Sequence, residues 1–288
     1  MFRTSLSKQI PVFSLLTGAT VWGLFWYPYR ILAALGMSGW MSLTLSYMAA
    51  LILGMAFFRK SIWSPGFSWM LLWIGISAGL CNIGYVLAMI DGEVMRVLLL
   101  FYLAPFWTVL LARMILGEKL SAQGILVMSC AMAGAVVMLW DPQRGSIFPQ
   151  SKAEWLGLGA GFMFALSNVL AKSAQAYSIE AKSASISVGV VAAGLLFEFF
   201  HPSGEGFSVY ALMLLAVMGA VIFAVNVVMQ YGLTHTPANR AIVILLFELV
   251  VAAVSSYFLA GEAMTLREWL GGGMIVAASL LSGKLEKV

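Results

Sequence analysis

The chain has 288 residues, of which 62% are hydrophobic and only 10% charged, far more apolar surface than a soluble domain of this length can bury in one core. The net charge of +4 comes without any basic run or patch, so nucleic-acid binding does not explain it. The polar connections, the longest near 141–153, are too short to hold a soluble catalytic module, and the expected solvent is the bilayer.

Hydropathy marks ten segments, near 11–29, 40–57, 68–90, 94–116, 121–139, 154–173, 183–200, 208–233, 239–260 and 266–283, each close to the length of about 20 mainly apolar residues that a spanning helix needs. The first has the basic start and apolar run of a signal peptide, but cleavage would remove the opening helix of the first half, so an uncleaved helix is expected. With the N-terminus in the cytoplasm, Arg30, Arg96, Arg144, Lys152 and Arg267 fall outside and the other eleven of the sixteen basic residues inside. That split satisfies the positive-inside rule and predicts an inner-membrane, multi-pass protein with both termini cytoplasmic.

Ten segments divide into five and five, over 1–144 and 145–288. Five connected helices per half is an odd number, so the second half enters the membrane in the opposite sense to the first, the inverted repeat of many secondary transporters. At an offset of 144, half the chain, Gly75/Gly219, Asn82/Asn226, Arg96/Arg240, Gly117/Gly261 and Glu118/Glu262 coincide. Chance alone supplies about three matches over such a window, so the residue types carry the argument, since Asn, Arg and Glu are scarce in these segments. The predicted fold is an all-α integral membrane protein: ten transmembrane helices as two inverted five-helix repeats around a central cavity.

In chain order, segment one carries Trp22, Trp26 and Tyr27, then Pro28, whose missing N–H predicts a bend. Segment three holds Gly75 and Gly79, a small-xxx-small pair for close helix contact, with Asn82 and Tyr85 on nearly one face. Segment four opens on Arg96, carries Tyr102, a bend-forming Pro105 and Trp107, and closes on Gly117 and Glu118. Segment six has Gly157, Gly161 and Asn168. Segment eight places Asn226 and Gln230 one turn apart. Cys81 and Cys130 lie inside apolar segments without CxxC spacing and read as small core residues.

Segment nine organises the rest. Arg240 opens it, Phe247 and Glu248 stand near its middle, and Gly261 and Glu262 close it. A carboxylate at helix centre costs about 2.5 to 3.5 kcal/mol on insertion scales, so Glu248 is expected to face the bundle interior. It can bind a substrate ammonium, take up a coupling proton, or serve as a hydrogen-bonded structural acid. The amides Asn82, Asn168, Asn226 and Gln230 can hold substrate polar groups or tie helices together. Trp22 and Phe247 can offer an apolar or cation-π wall. Arg96 and Arg240, on opposite surfaces in this topology, are candidate gates or interfacial anchors.

Enzymatic motifs do not occur in the sequence: His201 and His235 lie in connections outside any HExxH pattern, and no glycine-rich phosphate loop or nucleophile with a nearby base is found. The expectation is a non-enzyme with no cofactor and no metal site.

Trp22-Gly23, the stretch LAPFWTVLLARMILGEKL (103–120) and FELVVAAVSSYFLAGEAM (247–264) resemble the drug/metabolite transporter superfamily, in particular its EamA-type members, and the likeness extends over the whole chain. Leu249 departs from that pattern, standing where the family usually has a proline after the glutamate. The resemblance implies helices 1, 3, 4, 6, 8 and 9 around a cavity, helices 5 and 10 outside, and export of small metabolites by alternating access. The reading is a secondary transporter that exports a small amino-acid-like or amphipathic organic solute, possible proton coupling resting on Glu248. Its cavity is expected to be lined by Trp22, Asn82, Tyr85, Tyr102, Asn168, Asn226, Gln230, Phe247 and Glu248. The partners are that solute and membrane lipid, with a monomer or homodimer both open. A lipid or polyprenyl-carrier translocase and a non-transporting membrane scaffold are the alternatives.

Overall fold

The computed structural model describes residues 2–63, 66, 68–92, 94–139, 149–203, 208–261 and 265–282, apart from the side chains of 2–8, 63, 90, 94–96, 99, 138–139, 256, 260, 268 and 282. The side chain of Arg96 and all of Trp140, Asp141, Arg144 and Glu262 therefore lie outside the described residues. The described residues form helices and no strand: α1 (Phe2–Leu24), α2 (Trp26–Ala34), α3 (Gly39–Trp63), α4 (Trp69–Asp91), α5 (Val94–Phe101), α6 (Ala104–Leu111), a π-helical turn (Ala112–Leu116), α7 (Ala122–Leu139), α8 (Lys152–Ser173), α9 (Ile179–Phe200), α10 (Val209–His235), α11 (Ala238–Leu245), α12 (Phe247–Ala260) and α13 (Leu266–Ser282).

Among the described residues, seven runs are long and apolar enough to cross a bilayer: Gln9–Ala34, Gly39–Ile62, Trp69–Met89, Lys152–Ser173, Ile179–Phe200, Val209–His235 and Ala238–Leu259. Three shorter apolar helices accompany them, Ala104–Leu116, Ala122–Val137 and Trp269–Leu281. Large side chains such as Phe57, Phe199, Val209 and Phe258 stand exposed on the outside of the bundle, as expected where lipid rather than water is the neighbour. The chain is a multi-pass membrane protein.

Helix ends follow local chemistry. Serine side chains cap α4, α8, α9 and α10, with Ser68, Ser151, Ser178 and Ser208 each accepting from the backbone N–H three residues on, which satisfies a donor that the first turn leaves unpaired. Gly117 and Gly261 both have left-handed backbone, φ +69° and +68°, a conformation that costs a side-chain-bearing residue 1 kcal/mol or so. Each stops its helix so that a glutamate follows immediately.

Three spans are interrupted near their middles. Pro28 cannot donate to Leu24, and α1 gives way to α2 at Phe25; Pro105 cannot donate to Phe101, and α5 ends there while α6 restarts at Ala104. Each break sits four residues before its proline, where the ring frees a carbonyl. The third break comes without a proline: Leu246 separates α11 from α12 for one residue, so helix nine is interrupted beside Glu248 although Leu249 occupies the proline position.

Close crossings use glycine. A Cβ on Gly75 would lie 2.8 Å from the Ser185 carbonyl, and one on Gly79 would collide with Gly189, so α4 and α9 touch through backbone. Gly157 and Gly161 bring α8 against Val97 and Phe101 of α5, the latter at the carbonyl freed by Pro105. Gly219 lets α10 approach Ser46 and Ala49 of α3, and Gly134 lets α7 approach Gly271 and Met274 of α13. The five buried clusters each mix residues from both halves of the chain, so the halves interlock.

Candidate functional site

The three breaks converge on Glu248. Gly23, two residues before the first break, lies so close to α12 that an added Cβ would stand 2.7 Å from the Glu248 carbonyl. The break after α5 presents Tyr102, 9% exposed, whose hydroxyl hydrogen-bonds with the Glu248 carboxylate. Tyr85 and Cys81 on α4 lie within electrostatic reach of the same carboxylate. Phe101 joins the two tyrosines, its ring 4.9 Å from Tyr85 and 5.3 Å from Tyr102, with Phe164 of α8 5.6 Å from its other side. The carboxylate therefore faces helices, not lipid.

A second polar group adjoins the first through Cys81, which is also in electrostatic reach of Tyr47 on α3. Tyr47 hydrogen-bonds with Asn226, and its ring stacks on Trp22, centroids 6.4 Å apart and planes at 21°. The Trp22 indole donates to Met229 Sδ at 3.1 Å. Trp22 is thus held by α3 and α10 in a fixed orientation, with Phe25 5.1 Å from it.

The amides divide into two kinds. Asn82 donates to the Ala78 carbonyl of its own helix at 2.9 Å and is occupied there. Asn168 Nδ2, Asn226 Nδ2 and Gln230 Oε1 are enclosed and have no hydrogen-bond partner. Leaving such a group unmet costs about 1 to 3 kcal/mol, so each of the three is a place that a polar ligand or water can complete. Phe247 packs on the cluster built around Leu15, Val225 and Ile244.

The end of the bundle where α8 and α10 finish is knit differently. Glu118 accepts from the backbone N–H of Ala238 (3.0 Å) and Asn239 (3.3 Å) and from the Asn239 side chain (3.2 Å). It thereby caps the N-terminus of α11, whose own N-cap position is Pro237 and supplies no side-chain bond. Lys172 donates to the Thr234 carbonyl at 2.7 Å, joined there by Gln175 at 3.3 Å. Lys182, fully buried, donates to Thr234 Oγ1 at 2.5 Å and the Ala171 carbonyl at 3.2 Å. Acid meets a helix start and ammonium groups meet helix ends, as the macrodipole favours. Arg240 is half-buried in the first turn of α11.

Sequence reasoning singled out Gly117-Glu118 as a motif but gave it no partner, and it missed Tyr47, Met229, Thr234 and Lys182. Glu118 was legible only as a glutamate after a helix-stopping glycine; its partner lies 120 positions away.

Three comparisons bear on this arrangement. Residues 151–283 match the EamA-like transporter family. A protein of Archaeoglobus fulgidus named as an uncharacterized transporter is 29% identical over 201 residues, covering 69% of this chain and 70% of its own. A crystal structure described only as that of a protein superposes with a TM-score of 0.78 at 15% identity, over 98% of this chain and 99% of that one.

Proposed function

We propose, from the premise that residues 151–283 are an EamA-like transporter domain in a multi-pass membrane protein, that this chain is a secondary transporter. It moves a small amino-acid-like or amphipathic organic solute across the inner membrane by alternating access, outward, with both termini cytoplasmic. The observation that carries this reading is the meeting of three helix breaks at one intramembrane carboxylate, Glu248, bonded to Tyr102 and within electrostatic reach of Tyr85 and Cys81.

Ten crossings in two inverted repeats fit the packing. The three shorter apolar helices complete the seven long spans. The crossing of Gly75 on α9 is answered by its counterpart at the 144 offset, Gly219 on α3, and Cys130 lies 3.9 Å from the carbonyl of Met274, its own counterpart. Gly117 and Gly261 share one backbone conformation.

In this scheme Glu248 holds the solute's ammonium group or exchanges a coupling proton, Tyr102 orients the carboxylate, and Asn168, Asn226 and Gln230 bind the remaining polar atoms. Trp22 forms an apolar wall, since its N–H is already engaged. The Glu118 cap and the Lys172 and Lys182 contacts seal the cytoplasmic end in the state described, and opening that end separates Glu118 from α11. Arg240 sits at that seal, and its counterpart Arg96 is assigned to the opposite mouth by pseudo-symmetry alone.

The test is counterflow uptake in proteoliposomes, using a compound first found by its thermal stabilisation of the purified protein. Glu248→Gln is expected to abolish uptake while the protein remains folded and monodisperse. Unchanged uptake by a folded Glu248→Gln variant overturns the assignment.

A further inference from the structure

Between α3, α9 and α10 lies a narrow space with room for about one water molecule. Its lining includes Phe58 of α3, Ser183 and Ser187 of α9, and Phe223 and Asn226 of α10. The Phe58 and Phe223 rings pack on each other, centroids 5.9 Å apart, so no organic group fits between them.

Two residues of that lining forgo a bond that their own helix offers. Ser187 Oγ donates to the Ser183 carbonyl at 3.1 Å, the bond to the preceding turn that a helical serine can make, whereas Ser183 Oγ has no partner. Asn82 donates to the Ala78 carbonyl one turn earlier, whereas Nδ2 of its counterpart Asn226 has none. Ser183 and Asn226 are only 6% and 7% exposed, and a buried polar atom without a protein partner calls for an occupant that supplies one. The unmet groups decide what that occupant is. An amide N–H donates only, so it repels a cation and needs an acceptor. Glu180 lines the same space and disfavours an anion. Arg59 and Lys60 stand exposed at that end of α3, and the Lys182 ammonium is turned to Ala171 and Thr234, so the surrounding charge is of mixed sign and selects no ion. A neutral molecule of this size that both accepts and donates is water.

We propose that this space is an internal water site, where one water accepts from Asn226 Nδ2 and hydrogen-bonds with Ser183 Oγ, and that Ser183 is thereby a positioning residue for Asn226. Asn226 hydrogen-bonds with Tyr47, whose ring stacks on Trp22, so the water ties the first turns of α9 to the wall of the central site. Lys182, the neighbour of Ser183, holds the same stretch of α9 to Thr234 at the cytoplasmic seal. Movement of that stretch on opening therefore reaches Asn226 through the water. The amide nitrogen carries two hydrogens, and the one that the water does not take stays available to the solute. The positioning role rests on the transporter reading; the water site does not.

The experiment uses the purified full chain without solute and has two arms. A cryo-EM map of the protein bound to an antibody fragment, good enough to resolve the water shell of the exposed surface, is expected to show one density peak within about 3.2 Å of both Ser183 Oγ and Asn226 Nδ2. The lack of a peak there, or either side chain turned to a protein partner, overturns the water site. In the second arm Tyr47 is replaced by fluorotyrosine, whose fluorine resonance reports the contact with Asn226. Ser183→Ala is expected to move that resonance in the same direction as Asn226→Leu does. Ser187→Ala, which deletes a hydroxyl already satisfied within its own helix, is expected to leave it in place. An unmoved resonance in Ser183→Ala, or an equal shift in Ser187→Ala, overturns the positioning role. Neither arm reads transport, so a Glu248→Gln variant that still transports would remove the Glu248 assignment and leave the water site standing.

Discussion

The Glu118 end of the bundle and its mid-membrane centre are both polar, but they differ in how their charged groups are paired, although each keeps enclosed amide atoms without partners, Asn239 Oδ1 at the Glu118 end among them. At the Glu118 end the carboxylate takes three hydrogen bonds from α11, and two lysines serve the carbonyl ends of α8 and α10. At the centre Glu248 has Tyr102, while Asn168, Asn226 and Gln230 keep enclosed polar atoms without partners. The charged groups that hold helices together have their bonds already, whereas the centre offers one carboxylate and several amide atoms still open to a ligand. The contrast separates two uses of polarity inside an apolar protein: substitutions at the end should be read in stability, and substitutions at the centre in binding and transport.

The largest stability effect is expected from Thr234→Val. The change keeps the shape but removes the hydroxyl that accepts from the buried Lys182 ammonium, and an unmet buried donor costs about 1 to 3 kcal/mol. Thermal unfolding in detergent would report it as a lowered midpoint. Glu118→Ala removes the cap of α11 and should cost about 1 kcal/mol, with a rise in reactivity of thiols introduced at the same end, because the seal there loosens. If Thr234→Val and Glu118→Ala left stability untouched and stopped transport, the distinction drawn above would fail.

The central substitutions should move stability least. Asn226→Leu removes an unpaired donor but also the group that Tyr47 hydrogen-bonds, so the two effects offset and stability is expected to shift by less than about 1 kcal/mol, while uptake is lost. Asn82→Ala should be close to neutral in both measurements, since its amide is committed to Ala78 on the same helix. A loss of uptake in Asn82→Ala as large as that in Asn226→Leu would show that the local hydrogen bond is not what decides an amide's role.

Much of the architecture was legible because the bilayer demands long apolar runs and tolerates few charges. Glu248 stood out for that reason, as did the bends at Pro28 and Pro105, which fall where each proline frees a carbonyl. Other features have no local signature. The interruption at Leu246 lacks a proline. Asn82 and Asn226 occupy matching positions in the two halves, yet one bonds to its own helix and the other does not, a difference set by neighbours and not by residue type. Glu118 reads as a helix terminator in sequence, and its role emerges only when α11 is folded against it. The counterpart contact expected of Glu262 involves residues outside those described.

The most direct test of the central claim is ligand-induced stabilisation compared between wild type and Glu248→Gln. A panel of amines and amino acids is screened against each purified protein, where a compound at 100 times its dissociation constant adds about 2.7 kcal/mol. The account predicts that at least one ammonium-bearing compound raises the unfolding midpoint of the wild type, and that Glu248→Gln, with the same midpoint when free of ligand, loses the response. A compound that stabilises both proteins equally would contradict it.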